Sequence, residues 1–263
     1  MSSTRYATDL DAKLKSFLDL NPSRPSADGT SVECEIRFGT RSVRSISRDD
    51  FNNVAAKLMS NGFTSHDRAG ADLLRISSEY TDPRSAKTKL SNIRAEIRSL
   101  SGIQSYCKTN NLSGVPEKMY GFTQKQTAKT PEGELLLPFN NDEFNFRVST
   151  QTERTLRSTD RAVKELVQDW PNLKKHFRSL NRVSFMSDDY PVRIDLSMSR
   201  SNFRQKGRTD LEYSIEASRV FEGTPTFEIE IEFLNSKLGP GTPWTSDNYR
   251  EFATMTRILI KLV

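Results

Sequence analysis

Residues 226–234 read Thr-Phe-Glu-Ile-Glu-Ile-Glu-Phe-Leu, an unbroken alternation of apolar and acidic side chains. In an extended strand, successive side chains point to opposite faces. Glu228, Glu230 and Glu232 therefore share one face, and Phe227, Ile229, Ile231 and Phe233 the other. Such a strand needs apolar cover on one side and positive charge or water on the other. Three successive carboxylates on one face also repel one another. Residues 32–38 (VECEIRF) repeat the pattern, with Glu33, Glu35 and Arg37 opposite Cys34, Ile36 and Phe38. One reading is a pair of sheet strands with one face in water. The other is a set of five carboxylates, an oxygen-ligand set suited to a hard divalent cation, Mg²⁺ or Mn²⁺.

Further strands alternate in the same way but with basic residues. In SNIRAEIRS, Arg94, Glu96 and Arg98 oppose Ile93, Ala95 and Ile97. In NFRVSTQTE, Arg147, Ser149, Gln151 and Glu153 oppose Phe146, Val148 and Thr150. In VRIDLSMS, Arg193, Asp195, Ser197 and Ser199 oppose Val192, Ile194, Leu196 and Met198. In RSLNRVSF, Arg178 and Arg182 lie on one parity, with Val183 and Phe185 on the other. The net charge of +5, from 39 Lys and Arg against 34 Asp and Glu, is thus the small difference between two large opposed sets.

We expect strands near 72–80, 90–99, 102–108, 119–127, 143–153, 178–186, 192–199, 211–218 and 226–234. The segments 110–118 and 128–141 are expected as loops. Helices are expected over 5–20, 47–61, 158–169 and 245–263. Leu10, Leu14, Phe17 and Leu18 give the first its apolar stripe, and Ser47 with Asp50 caps the second. Many short strands and few helices imply a sandwich or a barrel. In a barrel, the apolar faces fill the interior, or they pack outward under the helices and leave a charged lumen. A lumen with carboxylates on some walls and Arg or Lys on others suits a metal–polyphosphate substrate.

The chemistry of several other classes is missing. Apolar runs stop at three residues, as in Ile258–Ile260, too short to span a membrane. The N-terminus has no apolar signal core, and two cysteines make no disulfide scaffold, so an intracellular setting is expected. A cysteine-dependent phosphate loop needs Arg six places after the nucleophile, but Thr40 follows Cys34 and Ser113 follows Cys107 at that spacing. No P-loop and no G-x-S-x-G occurs. Cys34, Cys107, His66 and His176 are too dispersed for a zinc site. A Lys-x-Asp-Gly guanylyltransferase nucleophile is also missing, since Ser26 precedes Asp28-Gly29.

The paired segments VECEIRF and FEIEIEF resemble the two glutamate strands of the triphosphate tunnel metalloenzymes. Within that superfamily the chain resembles the RNA 5′-triphosphatase domain of mRNA capping enzymes, and especially those of large cytoplasmic DNA viruses. The supporting segments are NIRAEI, NFRVSTQTE, NRVSF and VRIDLS, and the resemblance spans about residues 31–235. It implies a mainly β (α+β) fold: one domain over 1–263, a closed antiparallel eight-stranded tunnel with a hydrophilic interior and flanking helices. It implies hydrolysis of the γ-phosphate from the 5′-triphosphate end of nascent mRNA, the first step of cap formation. Glu33, Glu35 and Glu232 match the metal ligands, with Mg²⁺ or Mn²⁺ as cofactor. Glu153 matches a carboxylate that orients the attacking water, and Glu228 and Glu230 match supporting carboxylates. Arg94, Lys125, Arg147, Arg178, Arg182 and Arg193 match the basic residues that hold the triphosphate, with Lys129 the alternative to Lys125. Asp195 matches an acidic partner of Arg193, while Leu180 stands where the family often has a second basic residue.

The same resemblance implies 5′-triphosphate RNA as partner and fused guanylyltransferase and methyltransferase modules in a longer protein. It also implies no membrane partner, and a location in the host cytoplasm, its virus factory and the virion. Two other readings stay open. One is a tunnel-type tripolyphosphatase or thiamine triphosphatase. The other is a non-catalytic RNA-binding barrel in a capping assembly, which the placement of Phe opposite the charges, as core, disfavours.

Overall fold

The computed structural model describes residues 2–24, 26–39, 45–66, 72–82, 85–130, 133–134, 136–139, 145–202, 204–205, 208–238 and 244–263. Eight long strands carry the fold: β1 (Thr30–Phe38), β2 (Asp72–Thr81), β3 (Thr88–Arg98), β4 (Tyr120–Thr127), β5 (Phe146–Leu156), β6 (Lys175–Met186), β7 (Val192–Ser201) and β8 (Thr226–Phe233). All neighbours are antiparallel, in the order β1-β8-β7-β6-β2-β3-β4-β5. The ring closes where β1 pairs with β5, from Thr30 opposite Arg154 to Phe38 opposite Phe146. A closed barrel has no free edge. Two short strands extend it: 136–139 along β5, and Thr64–Ser65 along the end of β6.

The apolar faces point outward. One core lies between the outer faces of β1, β8, β7 and β5 and the helices α1 (Ser2–Asp19), α2 (Arg48–Ser60) and α6 (Ser246–Leu262). There Leu10, Leu14 and Phe17 of α1 meet Ile36, Ile231 and Phe233, all nearly inaccessible. A second core packs β2, β3, β4 and β6 under α3 (Leu100–Thr109), α4 (Arg161–Gln168) and α5 (Ile215–Ser218), around Tyr106, Trp170 and Phe177. Each buried side chain of this size contributes about 1.5–3 kcal/mol. The stabilising core is therefore outside the barrel, and the lumen is left to charged side chains. Of the two barrel arrangements open to the sequence, this is the charged lumen.

Two expected strands are helical. Residues 102–108 belong to α3, which Ser99 caps by accepting from Gly102 N and which ends at left-handed Asn110. Ile103 and Tyr106, one turn apart, are its buried stripe. Residues 211–218 contain α5, capped by Ser214, with a single bridge between Glu212 and Lys175 as the extended part. The expected loop 128–141 contains short strands at Lys129–Thr130, Gly133–Glu134 and 136–139. The capping box of Ser47 and Asp50 on α2 is present as read. No described helix is long and apolar enough to cross a membrane.

One charge lies in the outer core. Lys175 is inaccessible, donates to the carbonyls of Leu173 (2.6 Å) and Tyr213 (3.0 Å), and sits 5.5 Å from the Trp170 ring centre. Burial pulls its ammonium down to about 8, with Glu79 opposing. Between that value and the unfolded lysine value, the unfolded chain binds more protons, so stability rises with pH across this window. Wild type is expected to gain up to about 3 kcal/mol relative to Lys175→Met between pH 7 and pH 10.5, measured by urea unfolding. A constant difference would contradict it.

Candidate active site

The inward faces of the eight strands enclose a cavity of about 510 Å³. It is lined almost wholly by charged and polar groups. The register sets its carboxylates side by side. Glu35 on β1 lies opposite Glu232 on β8, and Arg37 lies opposite Glu230. On β8's other side, Arg193, Asp195 and Ser197 of β7 lie opposite Glu232, Glu230 and Glu228. Lys125 of β4 faces Glu153 of β5. One wall is therefore carboxylate-rich across β1 and β8, and the remaining walls are mainly Arg and Lys.

The two signs interlock. Arg182 donates to Asp195 (2.6 Å), Glu230 (3.1 Å) and Ser197 (3.0 Å). Arg193 reaches Asp195 (3.0 Å) and Glu232 (2.6 Å). Lys125 bonds Glu33 at 2.8 Å and pairs with Glu153, which is also 3.9 Å from Arg94. Arg37 lies 3.0 Å from Glu35 and pairs with Glu230. Arg178 pairs with Glu228, and Arg75 bonds Glu96 at 2.8 Å.

These neighbours split the carboxylates into two kinds. Burial raises Glu230, but Arg37, Arg182 and Arg178 outweigh it and hold the group well below the usual carboxylate range. Glu228 is likewise buried and likewise pulled down, by Arg178 and Ser199. Glu232 goes the other way: burial pushes it up to about 7, with Arg193 opposing and Glu33 and Asp195 adding repulsion. Glu35 is also raised, by burial and by Glu230, against Arg37. Its Oε1 is buried without a hydrogen-bond partner, although Arg37 Nη2 is 3.0 Å away. Glu35 and Glu232 are thus adjacent and half-buried, each beside a single guanidinium. Such oxygen donors fit a hard divalent cation. Among the described residues, however, no three His, Cys, Asp or Glu side chains already converge as a metal site.

The fold has counterparts among solved structures. The Mimivirus capping enzyme triphosphatase matches with a TM-score of 0.52 and 14% identity, over 95% of this chain and 96% of that one. The S. pombe RNA triphosphatase Pct1 matches with a TM-score of 0.54 and 13% identity, over 97% and 91%. The chain shares the fold of these two proteins. The closed eight-stranded tunnel that the resemblance implied is the fold observed. No protein-family model and no curated protein matches the sequence.

Within this tunnel fold, eleven of the twelve candidate residues line the cavity. The exception is Glu228, which shares the inward parity of Glu230 but is held by Arg178 and Ser199 outside the lining. Lys125 lines the cavity, while the side chain of the alternative, Lys129, lies outside the described residues. Leu180 is inward, buried, and opposite Leu73, which also lines the cavity, so an apolar patch interrupts the basic wall there. Four charged lining residues were not among the candidates: Arg37, Arg75, Glu96 and Arg98. Arg37 and Glu96 carry the parity signal of their charged neighbours. Arg75 does not, because Leu73 breaks the alternation of its strand.

Proposed function

We propose that the chain is a metal-dependent RNA 5′-triphosphatase, cleaving the γ–β phosphoanhydride at the 5′ end of nascent mRNA in the first step of cap formation. The observation that carries this reading is the tunnel itself: Glu35 and Glu232 side by side on one wall, and Arg and Lys from the other strands opposite. Glu33, Glu35 and Glu232 would hold Mg²⁺ or Mn²⁺. Bound there, such an ion lowers the charge repulsion between the γ-phosphate and an incoming water.

The chain's own groups supply the rest. Arg94, Lys125, Arg147, Arg178, Arg182 and Arg193 face the cavity, where guanidinium forks and an ammonium balance charge on phosphate oxygens. Glu153, beside Lys125 and Arg94, would orient the attacking water. Glu230 and Glu228 act one step back. Glu230 fixes Arg182 and Arg37, and Glu228 fixes Arg178. The setting that goes with this reading is a capping enzyme of a large DNA virus, acting in the host cytoplasm, with later capping steps on fused modules.

The test is release of labelled γ-phosphate from triphosphate-ended RNA with Mg²⁺, with Mn²⁺ and with a chelator. Tripolyphosphate and thiamine triphosphate serve as competing substrates. Metal-dependent release with RNA preferred is the expected result. Preference for a small polyphosphate would move the substrate assignment, and RNA binding without release would overturn the reading.

A further inference from the structure

Each of the three carboxylates proposed to hold the metal shares a cation with a second carboxylate. Lys125 spans Glu33 (2.8 Å) and Glu153. Arg37 spans Glu35 (3.0 Å) and Glu230. Arg193 spans Glu232 (2.6 Å) and Asp195 (3.0 Å). The three cations come from three different strands, so the repetition does not follow from one local sequence pattern.

A divalent ion and an ammonium or guanidinium repel each other when they share one carboxylate oxygen. The metal therefore enters only as these side chains let go. None has to be expelled into solvent, since each keeps a second carboxylate on the tunnel wall: Glu153, Glu230 or Asp195. Swung back on that anchor, the cation stays beside the cavity and has lost half of its negative partners. A triphosphate chain offers those partners.

We propose that Lys125, Arg37 and Arg193 are resident counter-cations of the empty site, which hand Glu33, Glu35 and Glu232 to the metal and turn to the phosphates. Metal and triphosphate then bind cooperatively, and the coupling is reciprocal. The proposal rests on the metal assignment made above. It makes Lys125, Arg37 and Arg193 competitors of the metal as well as ligands of the phosphates.

The experiment is a Mn²⁺ titration of the substrate-free chain followed by electron paramagnetic resonance. It compares wild type with Lys125→Met, Arg193→Met and, as a control of equal charge, Arg75→Met. Arg75 lines the same cavity but is bonded to Glu96, which is not a proposed ligand. Lys125→Met and Arg193→Met are expected to bind Mn²⁺ at least about 5-fold tighter, with Arg75→Met within about 2-fold of wild type. Lys125→Gln and thermal melting guard against misfolding. Unchanged or weaker Mn²⁺ binding in both variants, or equal tightening in Arg75→Met, would overturn the handover. Glu33→Gln reports whether the counted ion is in the tunnel. If it does not weaken binding, the metal assignment and the handover both fall. If the shifts appear but RNA is not hydrolysed, the handover stands and the triphosphatase reading falls.

Discussion

Alanine in place of Glu33, Glu35 or Glu232 is expected to lower γ-phosphate release from triphosphate-ended RNA by about 10³-fold or more, with the barrel still folded. The activity loss is large because each removes an oxygen donor from a small set, and because Glu35 and Glu232 lie side by side on neighbouring strands. The fold survives for a separate reason. The apolar neighbours on the same strands, Cys34, Ile36, Ile231 and Phe233, pack outward against the helices and are untouched. Nor is any cation stranded. Lys125 keeps Glu153, Arg37 keeps Glu230 and Arg193 keeps Asp195. Phosphate release and circular-dichroism melting, measured on all three variants, check both halves. Near wild-type release by all three would remove the metal assignment, and loss of folding in any one would contradict the account of the core.

This separation of core from site explains what was legible in the sequence. Period-two alternation fixes the face of each charged residue, and it placed Glu33 with Glu35 and Glu228 with Glu230 and Glu232 correctly. Alternation is silent about which face points inward, and only the helical cover of β1, β5, β7 and β8 decides that. It is also silent about depth along the tunnel. Glu228 therefore has the right parity but lies off the cavity, clamped by Arg178 and Ser199. The misread elements have a different cause. Residues 102–108 hold only two core anchors, Ile103 and Tyr106, and Gly102 lowers the helix propensity of the first turn. Tertiary packing against β2 and β3 decides the matter there. Finally, Arg37 pairs with Glu230 on the last strand and Arg75 with Glu96 on the strand that follows its own, and no single-strand pattern reaches across such pairs.

Asp195→Ala, in contrast to the glutamate variants, is expected to cost about 3–5 kcal/mol of folding stability as well as activity. Asp195 is 1% exposed and binds three groups at once: Arg182 Nη1 (2.6 Å), Ser184 Oγ (2.7 Å) and Arg193 Nε (3.0 Å). Its removal leaves the buried Arg182 guanidinium depending on Glu230, which Arg37 already engages. Ser184, nearly inaccessible, loses its acceptor. An uncompensated buried cation is the expensive outcome, so deleting that cation as well recovers part of the loss. Urea unfolding is expected to show Asp195→Ala/Arg182→Met more stable than Asp195→Ala alone. A single-variant loss below about 1 kcal/mol, or a double variant worse than the single, would show that the pair is solvated rather than buried. The contrast with Glu33 follows from the layout. Glu33 is half-buried and meets Lys125, whereas Asp195 is almost inaccessible and holds two arginines and Ser184 at once, and a polar lumen needs such residues where a conventional barrel has an apolar core.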